Sequence, residues 1–333
     1  MASGPVRVAC IGIGWWSDVL ADAIGRSGGL RIVSCYSRSP EKRTRFAEKY
    51  GCHAVESYDA ILSDPHVEAV VNTTPNAAHL ETTRAAAQAG KHVFLDKPIA
   101  NTLDDARAIT QACREAKVVL ALGYQRRREP PFRWIRCAID AGRFGRLVNA
   151  EANISRDRLG KIDLTSWRYQ AAGMPGGVML QIGIHYTDVL AYLMGPIAAV
   201  SAHTAQLVLP GDNPDVASLV LEHESGALST LNASYASASE HYVVNVYGKE
   251  ASAYFDHQSG LRYLQRGGSG CAAVPFEKND PLVEELEEFA DAVRGEGAPE
   301  MDGERGTDSL AVILAGVRSA REKRRVEVGE VLA

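Results

Sequence analysis

The first half of the fold is decided by one stretch, Val6-Arg-Val-Ala-Cys-Ile-Gly12-Ile-Gly14-Trp-Trp-Ser17. An apolar run ends there at two closely spaced glycines, and a helix-forming segment follows to about Ile24. This order is typical of dinucleotide-binding domains, because Gly12 permits a tight turn and Gly14 lets the backbone approach a pyrophosphate at the helix N-terminus. Ser17 stands where a third glycine is common. The predicted cofactor-binding residues of the turn are Gly12, Gly14, Trp15 and Trp16.

The same alternation of apolar runs and helix-forming segments continues over residues 1–124. It predicts a doubly wound parallel sheet, and we therefore assign these residues to a Rossmann dinucleotide-binding domain. The predicted strands are Val6–Ile11, Ile32–Tyr36, Val67–Asn72, His92–Leu95 and Val118–Leu122.

From Leu147 to Ile154, apolar and polar residues alternate one by one, which is the period of a half-buried strand. Two later stretches predict β-hairpins, one across Glu224-Ser225-Gly226 and one across Gly248-Lys249-Glu250. Two helices are predicted to close the chain, the first beginning at Asp280-Pro281. The predicted fold class is α/β, with a second α/β domain at 125–333 for substrate binding and oligomerisation, built on a large, open, mainly antiparallel sheet.

The composition indicates a folded protein with a hydrophobic core, since 46% of the 333 residues are hydrophobic and 23% are charged. A net charge of −5 leaves no basic field for nucleic acid. No apolar stretch approaches the ~20 residues that cross a bilayer, and Met1–Pro5 lacks the pattern of an export signal. The six cysteines form no CxxC pair and no metal-binding motif is present, so we expect reduced thiols, no metal site and a cytoplasmic protein.

The residues after the second predicted strand bear on the choice between NAD and NADP. Enzymes that prefer NAD usually place a carboxylate there for the adenosine ribose, whereas this chain has Ser37-Arg38-Ser39. A carboxylate would repel a 2'-phosphate, but hydroxyls and a guanidinium can bind it. Ser37 and Arg38 therefore favour NADP over NAD. An Arg38 that points only to solvent would leave NAD open.

Three more sequence motifs accompany the glycine turn. They are Thr73-Thr74-Pro75-Asn76 with His79, then Asp96-Lys97-Pro98, and then Gly177 through His185 to Asp188. Together with the glycine turn they resemble the Gfo/Idh/MocA oxidoreductase family, which includes glucose-fructose oxidoreductase and inositol dehydrogenases, over nearly the whole chain. The resemblance implies an open C-terminal sheet that often forms the oligomer interface. It also implies cofactor contacts from Thr74, Pro75, Asn76, His79, Asp96 and Lys97.

Two residues are candidates for proton chemistry. The resemblance implies that Lys97 lies beside the nicotinamide and the substrate, where an ammonium can hold a carbinol oxygen and stabilise developing negative charge. His185 lies in a mostly apolar helical stretch whose polar residues share one face: Gln181, His185, Asp188 and Tyr192. By its pattern alone His185 is a satisfied core histidine. With the resemblance, His185 and Lys97 are predicted to be catalytic.

One departure from the family pattern concerns the residue four positions before this histidine. Many relatives carry an aspartate there, whereas this chain has Gln181, and an amide cannot accept a proton. We predict that Gln181 positions the substrate while His185 transfers the proton with the help of Lys97. The resemblance adds Gln125, Trp167 and Arg168 as substrate-binding candidates, with a purely structural role left open for each.

The predicted reaction is hydride transfer between a nicotinamide and a secondary alcohol or ketone of a sugar, cyclitol or cyclic diol. Two alternatives stay open: a redox-assisted glycoside-cleaving enzyme with tightly bound NAD, and a non-catalytic dinucleotide-binding regulator. We expect a polyol or sugar-type substrate, no nucleic acid and no membrane partner. We also expect a homodimer or homotetramer joined through the C-terminal sheet.

Overall fold

The structure is a computed structural model that describes residues 4–160, 163 and 165–333. Residues 1–3 of the leader considered above lie outside the described part of the chain. By its internal contacts the chain divides into two units. The first comprises Met1–Gln125 and Asp280–Asp308, and the second comprises Arg126–Asn279 and Ser309–Ala333.

The first unit begins with strands and helices in alternation: β1 (Val6–Ile11), α1 (Trp15–Arg26), β2 (Leu30–Tyr36), α2 (Pro40–Tyr50), β3 (His53–Ala54), α3 (Tyr58–Ser63), β4 (Ala69–Asn72), α4 (His79–Gln88), β5 (His92–Asp96), α5 (Leu103–Glu115) and β6 (Leu120–Gly123). The strands form a six-stranded parallel sheet in the order β3-β2-β1-β4-β5-β6. This is the Rossmann order, which confirms the predicted doubly wound fold.

Local sequence explains where the helices of this unit begin. Ser39, Ser57 and Thr102 precede α2, α3 and α5, and each side-chain hydroxyl accepts a backbone N–H from the first turn of its helix. Strands β4 and β6 are buried along their whole length, as expected for strands covered on both faces.

The chain continues with α6 (Pro130–Asp140), β7 (Leu147–Asp157), α7 (Ile184–Met194), β8 (Ile197–Ala205), β9 (Val216–His223), β10 (Leu228–Ser234), β11 (Ala236–Gly248), β12 (Ala251–Asp256), β13 (Gly260–Gln265), β14 (Ala272–Ala273), α8 (Pro281–Arg294), α9 (Gly303–Glu322), β15 (Val326–Glu327) and α10 (Gly329–Leu332). The second unit contains a nine-stranded sheet in the order β14-β13-β12-β11-β7-β10-β9-β8-β15. Among the described strands of this sheet, only β7 and β10 pair in parallel. The two predicted hairpins are confirmed as β9–β10 and β11–β12.

The second sheet has one buried and one open face. On β7, Ala150, Ala152 and Ile154 are at most 3% exposed, whereas Asn149 and Glu151 between them are exposed. The burial of β9 and β10 alternates in the same way. Helix α7 packs against β7, and the open mainly antiparallel sheet of the predicted fold class is confirmed.

By their internal contacts, residues 280–308 group with the first unit, whereas the predicted division into domains at 1–124 and 125–333 stays a prediction. The reason for this grouping is the apolar face of α8. Leu286, Phe289 and Ala290 are fully buried in the hydrophobic core around β1 and β2. The ring of Phe289 meets that of Phe94 edge to face, with centroids 5.8 Å apart.

The cysteines of the chain carry free thiols, and Cys10, Cys35 and Cys113 are buried. Within the described ranges, no helix combines the length and the apolar character that a membrane span requires.

Candidate functional site

The turn after β1 is held against the end of β4. Gly12 has a φ of +80°, and a Cβ added to it would lie 2.3 Å from the backbone nitrogen of Thr74. The hydroxyl of Thr73 donates to the carbonyl oxygens of Ile11 and Gly12 at 3.0 and 3.1 Å. Both the backbone conformation and the space therefore require glycine at position 12.

Gly14 has a different reason to be glycine. It is the N-cap of α1, with an extended backbone and no side-chain cap. A Cβ here would meet no other atom closer than the carbonyl oxygen of Gly12, at 3.9 Å, so the protein itself leaves room. An uncapped helix N-terminus with open space in front of it fits the pyrophosphate of a dinucleotide. Ser17, at the third-glycine position, is buried.

The two tryptophans after Gly14 differ in their surroundings. Trp15 is 62% exposed, and its ring meets that of Trp16 edge to face at a centroid distance of 5.3 Å. Trp16 packs partly against the core, and its buried indole N–H has no hydrogen-bond acceptor among the described residues. A buried donor of this kind is usually satisfied, and a bound ligand would be one way to satisfy it. Contact of either residue with the cofactor stays a prediction.

The loop between β2 and α2 carries the residues predicted to choose between NAD and NADP. Ser37 is half-buried and Arg38 is exposed. Arg43, on the first turns of α2, donates from Nη1 to the carbonyl oxygen of Ser37 at 3.2 Å. Arg43 was not predicted from the sequence. The signal that could have identified it is its position, a basic residue four positions beyond the N-cap Ser39. The loop and the first turns of α2 therefore carry one arginine each, Arg38 and Arg43.

The motif after β4 is tied together internally. The side-chain oxygen of Asn72 accepts the backbone N–H of Thr74 at 3.1 Å. Asn76 is buried and donates to the side chain of Asn101 at 2.9 Å. His79 is also buried, and its ring nitrogens lie 2.9 Å from the carbonyl oxygen of Thr74 and 3.0 Å from that of Pro98. Burial lowers the pKa of His79, against the opposing effect of the carbonyl oxygens around it, and the ring lies between the loops that carry Thr74 and Pro98.

Lys97 follows β5, and the Lys97–Pro98 peptide bond is cis. Asp96 pairs with Gly123 on the neighbouring strand, so the motifs after β5 and β6 leave the sheet at the same edge. Gln125, two residues past β6, has a buried side-chain oxygen with no hydrogen-bond donor among the described residues. The carboxyl edge of a doubly wound sheet is where such folds bind their ligands. Lys97 and Gln125 are thus at the edge that carries the glycine turn.

In the second unit, His185 is 8% exposed and lies on α7. One turn further along the helix, Asp188 is 3% exposed and accepts two bonds from Arg127, from Nε at 3.0 Å and from Nη2 at 2.5 Å. Arg127 also lies over the ring of Tyr192, 5.1 Å from its centroid. This buried, bidentate ion pair fixes α7 to the segment 126–128.

The helical stretch before His185 differs from the prediction. Met179–Gly183 is a π-helical turn rather than the start of a regular α-helix. Gln181 lies in this turn, and its side-chain oxygen accepts a hydrogen bond from the hydroxyl of Tyr235. Three polar residues of the predicted face, Gln181, Asp188 and Tyr192, thus each have a partner from another segment. For Tyr192 this partner is Arg133, whose Nη1 donates to the Tyr192 hydroxyl at 2.9 Å. Sequence analysis missed Tyr235, Arg127 and Arg133 as these partners.

Trp167 and Arg168 form a short 3-10 turn with Tyr169. The guanidinium of Arg168 stacks over the Trp167 ring, 4.5 Å from its centroid. A Cβ on Gly173 would lie 2.4 Å from the carbonyl oxygen of Trp167, so the turn is closely packed. The stacking gives both residues a structural role, and substrate contact stays a prediction.

One cluster of possible metal ligands occurs among the described residues, on the β11–β12 edge: His241, Asp256 and His257, with ligand atoms within 4.8 Å of one another. Nδ1 of His257 accepts the backbone N–H of Tyr242 at 3.2 Å. This bond uses the lone pair of Nδ1 and places the ring proton on Nε2, so neither nitrogen offers a metal its lone pair.

A Rossmann-ordered sheet whose first turn requires glycine at position 12 is typical of dinucleotide-binding proteins. Comparison with family models agrees. Residues 6–124 match the model described as "Oxidoreductase family, NAD-binding Rossmann fold", and residues 132–254 match the GFO/IDH/MocA C-terminal domain. The chain belongs to the Gfo/Idh/MocA oxidoreductase family, as the sequence motifs predicted.

Its relatives are enzymes of sugars and cyclitols. The chain is 32% identical to 1,5-anhydro-D-fructose reductase of Ensifer adhaerens, over 91% of this chain and 92% of the relative. It is 26% identical to inositol 2-dehydrogenase of Rhizobium meliloti, over 97% and 99%. A solved oxidoreductase structure from Desulfitobacterium hafniense superposes with a TM-score of 0.94 at 34% identity, covering 99% of each chain. The chain is therefore an enzyme of the dehydrogenase and reductase class.

We expect Gly12→Ala to lower the melting temperature and to abolish dinucleotide binding, because the added Cβ collides with the backbone of Thr74. Gly14→Ala is the matched variant, since its Cβ has room in the protein. It should keep the wild-type melting temperature and raise the Kd for the dinucleotide about tenfold or more, because the methyl group occupies the approach of the pyrophosphate. Calorimetric titration and thermal melting measure both. Wild-type affinity and melting temperature in Gly12→Ala would contradict the account.

Proposed function

We propose that this enzyme uses NADP to interconvert a secondary alcohol and a ketone of a sugar, cyclitol or cyclic diol. The observation that carries the proposal is Lys97 at the carboxyl edge of the parallel sheet, the same edge as the glycine turn. The names of the relatives support the substrate class, since they include a reductase of an anhydro sugar and a dehydrogenase of inositol.

The nicotinamide, when bound, would supply or accept the hydride. Gly12, Gly14 and the N-terminus of α1 would hold its pyrophosphate. Lys97 would bind the substrate oxygen and stabilise the negative charge that develops on it. His185 would take the hydroxyl proton during oxidation and return it during reduction. Gln125 would accept a hydrogen bond through its buried oxygen, and the Trp167–Arg168 turn would contact the substrate.

The preference for NADP rests on charge. Arg43 places one guanidinium group at the carbonyl of Ser37, and Arg38 follows Ser37 in the sequence, in the region where a carboxylate would select NAD. The oxidoreductase of D. hafniense is described as NADPH-dependent, while relatives named for NAD and for NADP both occur. We favour NADP because its 2'-phosphate would give both guanidinium groups an anionic partner.

Arg43→Ala should lower kcat/KM for NADPH by about 10–100-fold and leave that for NADH within about twofold, because it removes a charge-assisted bond to the 2'-phosphate alone. Lys49→Ala is the control, since Lys49 is an exposed cation at the far end of the same helix. The ratio of the two kcat/KM values is the readout. An equal loss with both cofactors would overturn the assignment.

His185→Ala should reduce kcat by about 10²–10⁴-fold while leaving the Kd for NADPH unchanged, because the imidazole acts on the proton and not on the dinucleotide. His203→Ala is the control, since His203 is an exposed histidine on β8. Steady-state kinetics and fluorescence titration separate the two effects. Full activity in His185→Ala would remove this residue from the mechanism.

A redox-assisted cleavage is the second candidate, because one relative, from Escherichia coli, is named 2,7-anhydro-N-acetylneuraminate hydratase. That reaction class would show turnover without consumption of added dinucleotide. The regulator hypothesis gains no support from this chain, which keeps both Lys97 and His185. We further propose a cytoplasmic homodimer or homotetramer joined through the open face of the sheet, which is exposed in the single chain.

A further inference from the structure

Three cysteines of the first unit lie next to one another on the parallel sheet. Cys10 on β1 pairs in register with Cys35 on β2, and Cys35 pairs in register with Ala54 on β3. Cys52 comes two residues before Ala54, which places its side chain on the same face as that of Cys35. Cys10 and Cys35 belong to one hydrophobic cluster, and Cys52 packs against it. The thiol of Cys35 therefore has a cysteine on each side.

The three thiols differ in their access to solvent. Cys10 and Cys35 are at most 1% exposed, whereas Cys52 is half-buried. Cys52 also leads into β3, an edge strand of two exposed residues. Such a short edge has few backbone hydrogen bonds and opens at low cost in free energy, so the segment can bring Cys52 within the Cα separation of about 7 Å that a disulfide needs. Cys52 is thus the thiol that a small oxidant in solution meets first.

Cys35 prepares Cys52 for reaction. Hydrogen bonding by the Cys35 thiol lowers the pKa of Cys52, against the opposing effect of burial. The same hydrogen bond, together with burial, raises the pKa of Cys35 well above its ordinary range. Cys52 is therefore the one of the two that ionises first to a thiolate, which is the reactive form of a cysteine, while Cys35 stays a thiol beside it.

Cys35 also connects this pair to the loop proposed to bind the 2'-phosphate. Its thiol donates to the carbonyl oxygen of Arg43 at 3.5 Å. Nη1 of Arg43 in turn donates to the carbonyl oxygen of Ser37, two residues after Cys35, at 3.2 Å. A covalent bond from Cys35 to Cys52 would remove the thiol proton and with it the bond to Arg43. Oxidation would therefore remove a contact that holds the first turns of α2.

We propose that Cys35 and Cys52 form an oxidation site, at which a peroxide produces a reversible disulfide that weakens the binding of NADPH. Cys52 is the attacking residue and Cys35 is the resolving one. The oxidation site itself follows from the paired thiols, whereas its effect on NADPH rests on the proposed function.

The reaction has two steps. The Cys52 thiolate attacks an oxygen of hydrogen peroxide and the O–O bond breaks, which gives a sulfenic acid at Cys52 and a hydroxide. The sulfur of Cys35 then attacks the sulfur of Cys52, the S–O bond breaks, and the leaving hydroxide takes the Cys35 proton as water. Two thiols and one hydrogen peroxide thus become a disulfide and two waters. A thiol reductant restores both cysteines by exchange.

Peptide mapping tests the oxidation site. Reduced protein that is titrated with hydrogen peroxide, alkylated and digested should yield peptides joined through Cys35 and Cys52, which dithiothreitol separates. In Cys35→Ala the resolving thiol is missing, so dimedone should label Cys52 as a sulfenic acid. Cys137→Ser is the matched control, since Cys137 is an exposed cysteine of the second unit, and it should form the disulfide as wild type does. Absence of the joined peptides, or joining of Cys52 to another cysteine instead, would overturn the proposal.

Titration with NADPH tests the consequence. The Kd should be about fivefold or more higher in the disulfide form than in the reduced form, and dithiothreitol should restore it. Cys52→Ser cannot form the disulfide and should keep the same Kd before and after peroxide. An unchanged Kd in protein that carries the disulfide would contradict the proposed effect. If reduced wild type bound no dinucleotide, the proposed function would be overturned instead, and the peptide map would still decide on the oxidation site.

Discussion

The close approach of the Gly12 turn to the backbone of Thr73 and Thr74 is the constraint on which the nucleotide-binding unit depends. A side chain at position 12 would lie 2.3 Å from a backbone nitrogen, so β1 and β4 can end side by side only with glycine there. From this contact a continuous path of bonds leads to the candidate lysine. Thr73 holds the turn, His79 lies between the carbonyl oxygens of Thr74 and Pro98, and Pro98 follows Lys97. The turn for the pyrophosphate and the residue proposed for the substrate oxygen are thus positioned by one network.

The second unit positions its candidate residues with buried polar groups. The Arg127–Asp188 pair is buried, and such a pair contributes little net stability because both charges lose their hydration. Its two bonds nevertheless fix the orientation of α7 one turn beyond His185. The Tyr235–Gln181 bond acts on the preceding π-helical turn. Both interactions therefore orient α7 and the turn before it rather than add much to the stability of the fold.

Much of the fold could be predicted from local patterns. The glycine turn after an apolar strand, the alternation of strands and helices, and the two hairpins depend on neighbouring residues alone, and each is confirmed. The packing of α8 in the core of the first unit could not be predicted, because an amphipathic pattern shows that a helix has a buried face but not which core buries it. The π turn was missed because its i→i+5 bonds have no sequence signature. The partners Arg127 and Tyr235 lie 61 and 54 positions from the residues they bind, beyond the reach of any local pattern. The roles of Lys97 and His185 rest on resemblance and remain predictions.

Transfer of a labelled hydride tests the central claim most directly. The wild-type enzyme would be incubated with NADPH that carries deuterium at the transferable position of nicotinamide C4, together with a panel of keto, dicarbonyl and anhydro sugars. The account predicts an alcohol product one mass unit heavier than its unlabelled counterpart, formed in equal amount to NADP⁺. Turnover of a sugar with no deuterium in the product and no NADPH consumed would contradict it, and so would the absence of any reaction with either nicotinamide cofactor.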